Sequence, residues 1–216
     1  MLFAAFCLIC LLVLGIKFAV MYRRTHALIP QEAAVQLGPI QLPGDRYYHP
    51  GHTWAKPTGA GEVLVGLDAF ARRFVGDVKR IVAPTPGQEV EQGRAAWTIE
   101  FDGRKLEQPA PVDGEVVAVN EEVLRHPEEL REDPYERGWL LKVKSKRADC
   151  CSTNLFSASL AKKWVELAIQ ELQRTYSPLV GAVSQDGGEL VEGVAKMLDD
   201  EKWEHFKRQY FPVAQA

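Results

Sequence analysis

Between residues 62 and 143, short apolar runs alternate with turn-forming residues so closely that only short elements fit. Runs of this kind, bounded by Gly, Pro and Asp, read as strands. The sequence predicts strands over 62–67, 77–82, 94–101, 104–108, 115–120 and 139–143. Asp68 can cap a short helix reaching Phe74, with Phe70 and Phe74 four apart on one face and Gly76 ending it. Asp102-Gly103 between two strand patterns is a two-residue hairpin signal. Turns are expected at 84–87 and 111–114, a helix from 121 to just before Pro127, and a loop over 133–138. PTPGQEV at 84–90 is echoed by PAPVDGEV at 109–116, which points to two similar halves. Many short strands at close spacing confine this segment to a small β-barrel or sandwich.

The flanks differ in kind. Residues 2–22 are apolar except for Lys17, and at helical rise they span about 31 Å, close to the hydrocarbon thickness of a bilayer. Arg23 and Arg24 follow, and no Lys or Arg precedes. By the positive-inside rule, residues 1–24 read as a single-pass anchor in the plasma (inner) membrane, with the globular part in the cytoplasm. Lys17 can snorkel to the headgroups. A cleaved signal peptide, the rival reading, would need a basic start and a small-residue cleavage site. Residues 25–46, with Pro30, Pro39, Pro43, Gly38 and Gly44, read as an extended linker.

A net charge of -3 and a pI near 6.0 argue against a nucleic-acid binder. The four cysteines make no disulfide framework: Cys7 and Cys10 lie in the apolar run, and Cys150 and Cys151 are adjacent. A reducing compartment fits them. No cluster has zinc spacing, so no metal site is expected. Cys150-Cys151 reads as a reduced pair at a linker, with a thiol redox or metal-sulfur role, which would need partners from elsewhere, as the alternative. Lys142, Lys144, Lys146 and Arg147 form a basic edge that reads first as strand solvation and second as a contact with an acidic membrane surface.

The order of motifs resembles the H protein of the glycine cleavage system. Tyr48, His52 and Trp54 match the family's opening tyrosine and His-x-Trp. Val65-Gly66, Gly76-Asp77, the turn from Pro84 to Gly87, Val90 and Gly93 follow in step. Pro111, Val112, Gly114, Glu115, Val116 and Asn120 match next. The most specific stretch is NEEVLRHPEELREDPYERGWL at 120–140. The resemblance covers residues 47–147 and implies a mainly β fold, a lipoyl-type barrel-sandwich hybrid with flanking helices. It also implies a carrier, not an enzyme, whose lipoyl-lysine arm passes an aminomethyl group and electrons between partner proteins.

That lysine is the point of departure. The family's attachment stretch reads Glu, two residues, then Lys, with a Pro-Val turn eight residues later. Glu100 lies eleven residues before Pro111, so the spacing is intact, but Gly103 stands where the lysine belongs. Glycine has no side chain to hold an amide-linked lipoate. Lys105 is the nearest candidate, on the same strand face but about 7 Å along it. Arg104 and Lys105 otherwise read as solvated strand charge.

Residues 148–216 read as a helical extension. Ser159 is expected to cap a helix to Tyr176 with Leu160, Trp164, Leu167, Ala168 and Leu172 on one face; further helices are expected over 189–198 and 200–210. Trp203, Phe206 and Tyr210 share a face of the last, and packing within the chain is the first reading of that stripe. Three functions follow. The first is a membrane-anchored H-like domain without lipoate that binds or scaffolds proteins, such as glycine-cleavage-like or lipoate-dependent enzymes. The second is a lipoyl carrier using Lys105. The third, an enzyme, lacks a nucleophile with a base, a metal site or a phosphate loop, so no catalytic residue is assigned.

Overall fold

A computed structural model of the chain describes residues 13–17, 32–147, 151, 153–176 and 190–214. The fold is mainly β with flanking helices, as expected. A six-stranded sheet has the order β3 (Tyr47–Tyr48), β4 (Thr53–Gly59), β5 (Glu62–Leu67), β11 (Trp139–Ser145), β10 (Gly114–Val119) and β7 (Glu89–Val90). A three-stranded sheet has the order β6 (Arg80–Val82), β8 (Ala95–Phe101) and β9 (Arg104–Pro109). Strand residues alternate between faces, and the inward sets of both sheets, Val63, Val65 and Val143 with Trp97, Ile99 and Leu106, belong to one buried cluster. The echoed segments are spatial neighbours: Gly114 pairs with Val90, and Glu115 with Glu89.

The motif residues hold this frame together. Trp54 is fully buried and its indole donates to the Leu67 and Pro134 carbonyls at 3.0 and 3.1 Å. Its cross-strand partner is Gly66, where a Cβ would stand 2.7 Å from the indole ring, so only glycine lets the ring lie against the strand. Asp133 accepts from the Tyr135, Glu136 and Arg137 amides and fixes the loop after Pro134. The Tyr135 hydroxyl donates to the Gln41 carbonyl at 2.7 Å. Asn120 caps α2 (Glu121–Arg125) and donates to the Arg137 and Trp139 carbonyls. Asn120, Asp133 and Tyr135 of the long motif thus serve the fold.

Several expectations change. Part of the supposed linker is a hairpin, β1 (Val35–Leu37) with β2 (Ile40–Leu42), turned by Gly38 at φ 54°. Ile40 and Leu42 are buried, so the Pro and Gly residues mark a turn within structure rather than a spacer. Arg46, at the expected linker's end, is 1% exposed between the Trp54 and Tyr135 rings, 4.8 Å from each. Strands β3 and β4 precede the first strand expected from sequence. A short helix, α3 (Glu129–Glu132), lies between Pro127 and Pro134. Strand β6 begins at Arg80 rather than Asp77.

The expected anchor lies almost wholly outside the described residues, as do Cys7, Cys10 and Cys150. Residues 13–17 form one helical stretch with Val13, Leu14 and Ile16 exposed. No helix among the described residues is long and apolar enough to cross a membrane.

In the extension, α4 (Ala158–Tyr176) begins before Ser159, and its first helical bond runs from the Ala161 amide to the Ser157 carbonyl. It buries Ala161, Val165, Ala168 and Leu172, while Leu160 and Leu167 are exposed, so the expected face was rotated. The helix packs on β1, β2 and β3. The helix expected over 189–198 is only a 3-10 turn, Val194–Met197, entered through Gly193 at φ 73°. The last helix, α5 (Asp200–Tyr210), is as expected, capped by Asp199, with Trp203, Phe206 and Tyr210 buried.

Candidate functional site at the hairpin tip

The β8–β9 hairpin closes with Phe101 opposite Arg104, and both turn residues have positive φ, Asp102 at 44° and Gly103 at 75°. That is the type I′ conformation which Asp-Gly favours, since glycine enters it without steric cost. Phe101 is 1% exposed and anchors the hairpin from below. Gly103 projects into open space: a Cβ built on it would meet nothing within 4 Å.

Lys105 and Arg104 take opposite roles. Lys105 has a 72% exposed side chain, its ammonium 3.1 Å from the Glu100 carboxylate on the paired position of β8. Arg104 is only 18% exposed and is not solvated strand charge. Its guanidinium donates to the Ala195 carbonyl at 2.6 Å and the Leu198 carbonyl at 2.5 Å, and lies 5.2 Å from the Trp203 ring centroid. Sequence reasoning missed this role because the partners lie more than ninety positions away.

Residues 190–211 therefore sit against the hairpin and α1 (Ala69–Val75). Phe74 stacks on Phe206 at 4.8 Å and on Trp203 at 6.1 Å, and Trp203 meets Phe101 edge-on at 5.7 Å. Arg72 pairs with Glu192 at 2.7 Å. Burial lowers the Arg72 pKa, with Glu192 opposing that shift. The Gly193 amide donates to the Arg73 carbonyl at 2.8 Å. At Gly76 a Cβ would stand 2.8 Å from the Gly193 Cα, so the helix C-cap glycine is also a close-contact glycine. A cleft of about 300 Å³ opens beside the tip, lined by Asp77, Lys79, Asp102, Arg131, Glu192 and Lys196 among others.

Two histidines lie deeper. His52 Nδ1 is 2.9 Å from the Asp68 carboxylate, which also caps α1 through the Ala71 amide. Phe70 and Phe211 flank the His52 ring at 4.4 and 5.2 Å. His49 accepts from the Gly51 amide, and burial, then nearby His52, lowers its pKa to about 4. Cys151 is buried. Of the basic edge, Lys142 faces Glu62 at 3.7 Å and Lys146 faces Glu89 at 2.9 Å. Among the described residues no three His, Cys, Asp or Glu side chains gather as a metal site.

Comparison with known proteins places this geometry. A family model described as "Glycine cleavage H-protein" matches residues 46–167, so residues 190–211, which pack on Phe101, Arg104 and α1, lie beyond the match. A "Probable glycine cleavage system H protein" of Thermococcus gammatolerans is 36% identical over 132 residues, 61% of this chain and 98% of that protein. The "Glycine cleavage system H protein" of Thermus thermophilus is 38% identical over 105 residues, 49% of this chain and 81% of that protein. The crystal structure of a glycine cleavage system H protein from Mycobacterium marinum matches with a TM-score of 0.50 and 28% identity, covering 58% of this chain and 97% of that one. The chain belongs to the glycine cleavage H-protein family.

Proposed function

We propose that this is a membrane-attached H-protein domain that carries no lipoyl arm and serves as a protein-binding or scaffold module, with glycine-cleavage-like or lipoate-dependent enzymes as partners. The observation that carries the reading is the hairpin tip itself. Gly103, at the position of the family's lipoyl lysine, offers no amine. Its neighbour Arg104 ties the tip to residues 195–198. The segment that Arg104 holds lies outside the family match. The residues at 103 do not fit an amide-linked lipoyl group. Attachment to the membrane rests on the apolar run at 2–22 and on Arg23-Arg24, which set the globular part in the cytoplasm. In this reading the chain acts through what it binds.

A carrier with its arm on Lys105 is the second reading, favoured by the exposure of that side chain. It requires a modifying enzyme to reach a lysine already facing Glu100 and displaced about 7 Å along the strand from the tip.

Incubation with lipoate, ATP and a lipoate–protein ligase separates the two. The purified chain is expected to keep its mass while a lipoylatable H protein in the same tube gains one lipoyl group. A lipoyl group on Lys105 would replace the first reading with the second.

A further inference from the structure

Strand β9 is a sheet edge: among the described residues it pairs with β8 alone. Beside it runs a groove of about 830 Å³, within the size range of ligand clefts. Lys105 and Glu107 line it from β9 and Ala95 from the start of β8, while Glu100 and Thr98, opposite Lys105 and Glu107, do not. Arg94 and Ala95 form one end. Lys207 and Arg208 of α5 and the tail from Phe211 to Ala214 form the opposite wall. The tail is held in place where the Ala214 amide donates to the Gly93 carbonyl at 2.8 Å.

The lining has four cations, Arg94, Lys105, Lys207 and Arg208, against one carboxylate, Glu107. Arg94, Lys105 and Lys207 have acid partners outside the lining, Glu91, Glu100 and Glu204. Pairs so exposed bind their partners weakly and can be shared with a ligand. Arg208 has no ion-pair partner among the described residues. Unpaired edges recruit extended chains, and charges on an edge strand discourage pairing with its own kind. Lys105 on β9 and the cations opposite favour a strand that brings carboxylates.

We propose that this groove takes an extended acidic peptide, with small apolar residues interleaved, that adds as a strand to β9. Main-chain hydrogen bonds to the free edge supply affinity. The four cations select the acid side chains, and Ala95, Pro212 and Val213 accept the apolar ones. The proposal rests on the binding-module reading and names the chemistry of its partner.

The test is fluorescence anisotropy with the full chain in phosphatidylcholine nanodiscs and a fluorescein-labelled hexapeptide of alternating Glu and Val. Saturable binding is expected, with none by the Lys-Val peptide. Lys207→Glu with Arg208→Glu should weaken binding about tenfold, the factor that two exposed charge contacts supply. N-methylation of alternate peptide residues should abolish binding if the backbone pairs with β9. Circular dichroism checks that the double variant stays folded, since Arg208 is exposed but Lys207 is half-buried with its ammonium 5.7 Å from the Trp203 ring centroid. No binding by the Glu-Val peptide, equal binding by the Lys-Val or N-methylated peptide, or unchanged affinity in the double variant would each overturn the proposal. So would binding of phosphatidylserine vesicles in place of the peptide, which assigns the groove to the membrane. The ligase experiment fails separately: a lipoyl group removes the armless reading whatever the groove binds, and failed peptide binding with an unmodified mass removes only the groove.

Discussion

Replacing Arg104 by alanine should loosen the segment it holds without unfolding the β-domain. The guanidinium makes two charge-assisted hydrogen bonds, to the Ala195 and Leu198 carbonyls, and lies over Trp203. Such bonds contribute about 1.5–3 kcal/mol each when buried, and a cation over an indole about 0.5–1 kcal/mol. With the side chain 18% exposed, the lower ends apply, and water recovers part of what the carbonyls lose. The Asp200 contact adds nothing, because that carboxylate is 99% exposed. The net loss is then about 2–3 kcal/mol. Local opening becomes cheaper by the same amount, so amide exchange there should speed up about 30- to 150-fold. Hydrogen exchange read by mass spectrometry gives the answer at three amides. Gly193 donates to Arg73, Lys196 to Gly193 and Leu198 to Ala195. Amides of β10 and β11 serve as the reference and should not change. Arg104→Lys should fall between, since one ammonium cannot reproduce the fork. Unchanged exchange at the three amides would refute the clamp; equal acceleration in β10 and β11 would show that Arg104 supports the whole fold instead.

Other consequences are direct. Gly66→Ala should cost about 1–3 kcal/mol in thermal or denaturant unfolding, because its Cβ would stand 2.7 Å from the buried Trp54 ring. Lys105→Ala should leave stability within about 0.5 kcal/mol, since its pair with Glu100 is solvent-exposed; a larger loss would point to a buried role. His49 is held near pKa 4 when folded, below the ordinary 6.5, so the folded state disfavours its protonation. That stability is fully present above pH 6.5 and is lost as the pH falls toward 4, about 3 kcal/mol in all. His49→Asn should flatten the unfolding midpoint across that window, and an unaltered slope would exclude His49 as its source.

What the sequence made legible is local chemistry. Asp102-Gly103 announced its turn because only a narrow set of residues enters positive φ at both centres. Asp68 announced α1 because an acid cap satisfies amides within its own first turn. The α5 stripe was readable because three aromatic residues share one helical face. What stayed hidden was decided across distance. The β1–β2 hairpin was obscured by Pro39 and Gly38, which look alike in a linker and in a turn. The α4 stripe misled because Leu160 and Leu167 are more apolar than Ala161 and Ala168, which are the ones buried. Arg104 gave no sign at all: an arginine after a turn looks solvated until residues 195–203 are brought to it. The long motif at 120–140 was readable as family and uninformative about activity. Its Asn120, Asp133 and Tyr135 spend their hydrogen bonds on loops and strand ends.

The central claim is that the hairpin tip carries no arm. The measurement that tests it most directly is the intact mass of the chain purified from its own cells, with peptide mapping across residues 97–111. An unmodified mass and an unmodified peptide containing Gly103 and Lys105 are expected. A lipoyl group on Lys105 would contradict that claim and make this chain a carrier with a shifted site of attachment.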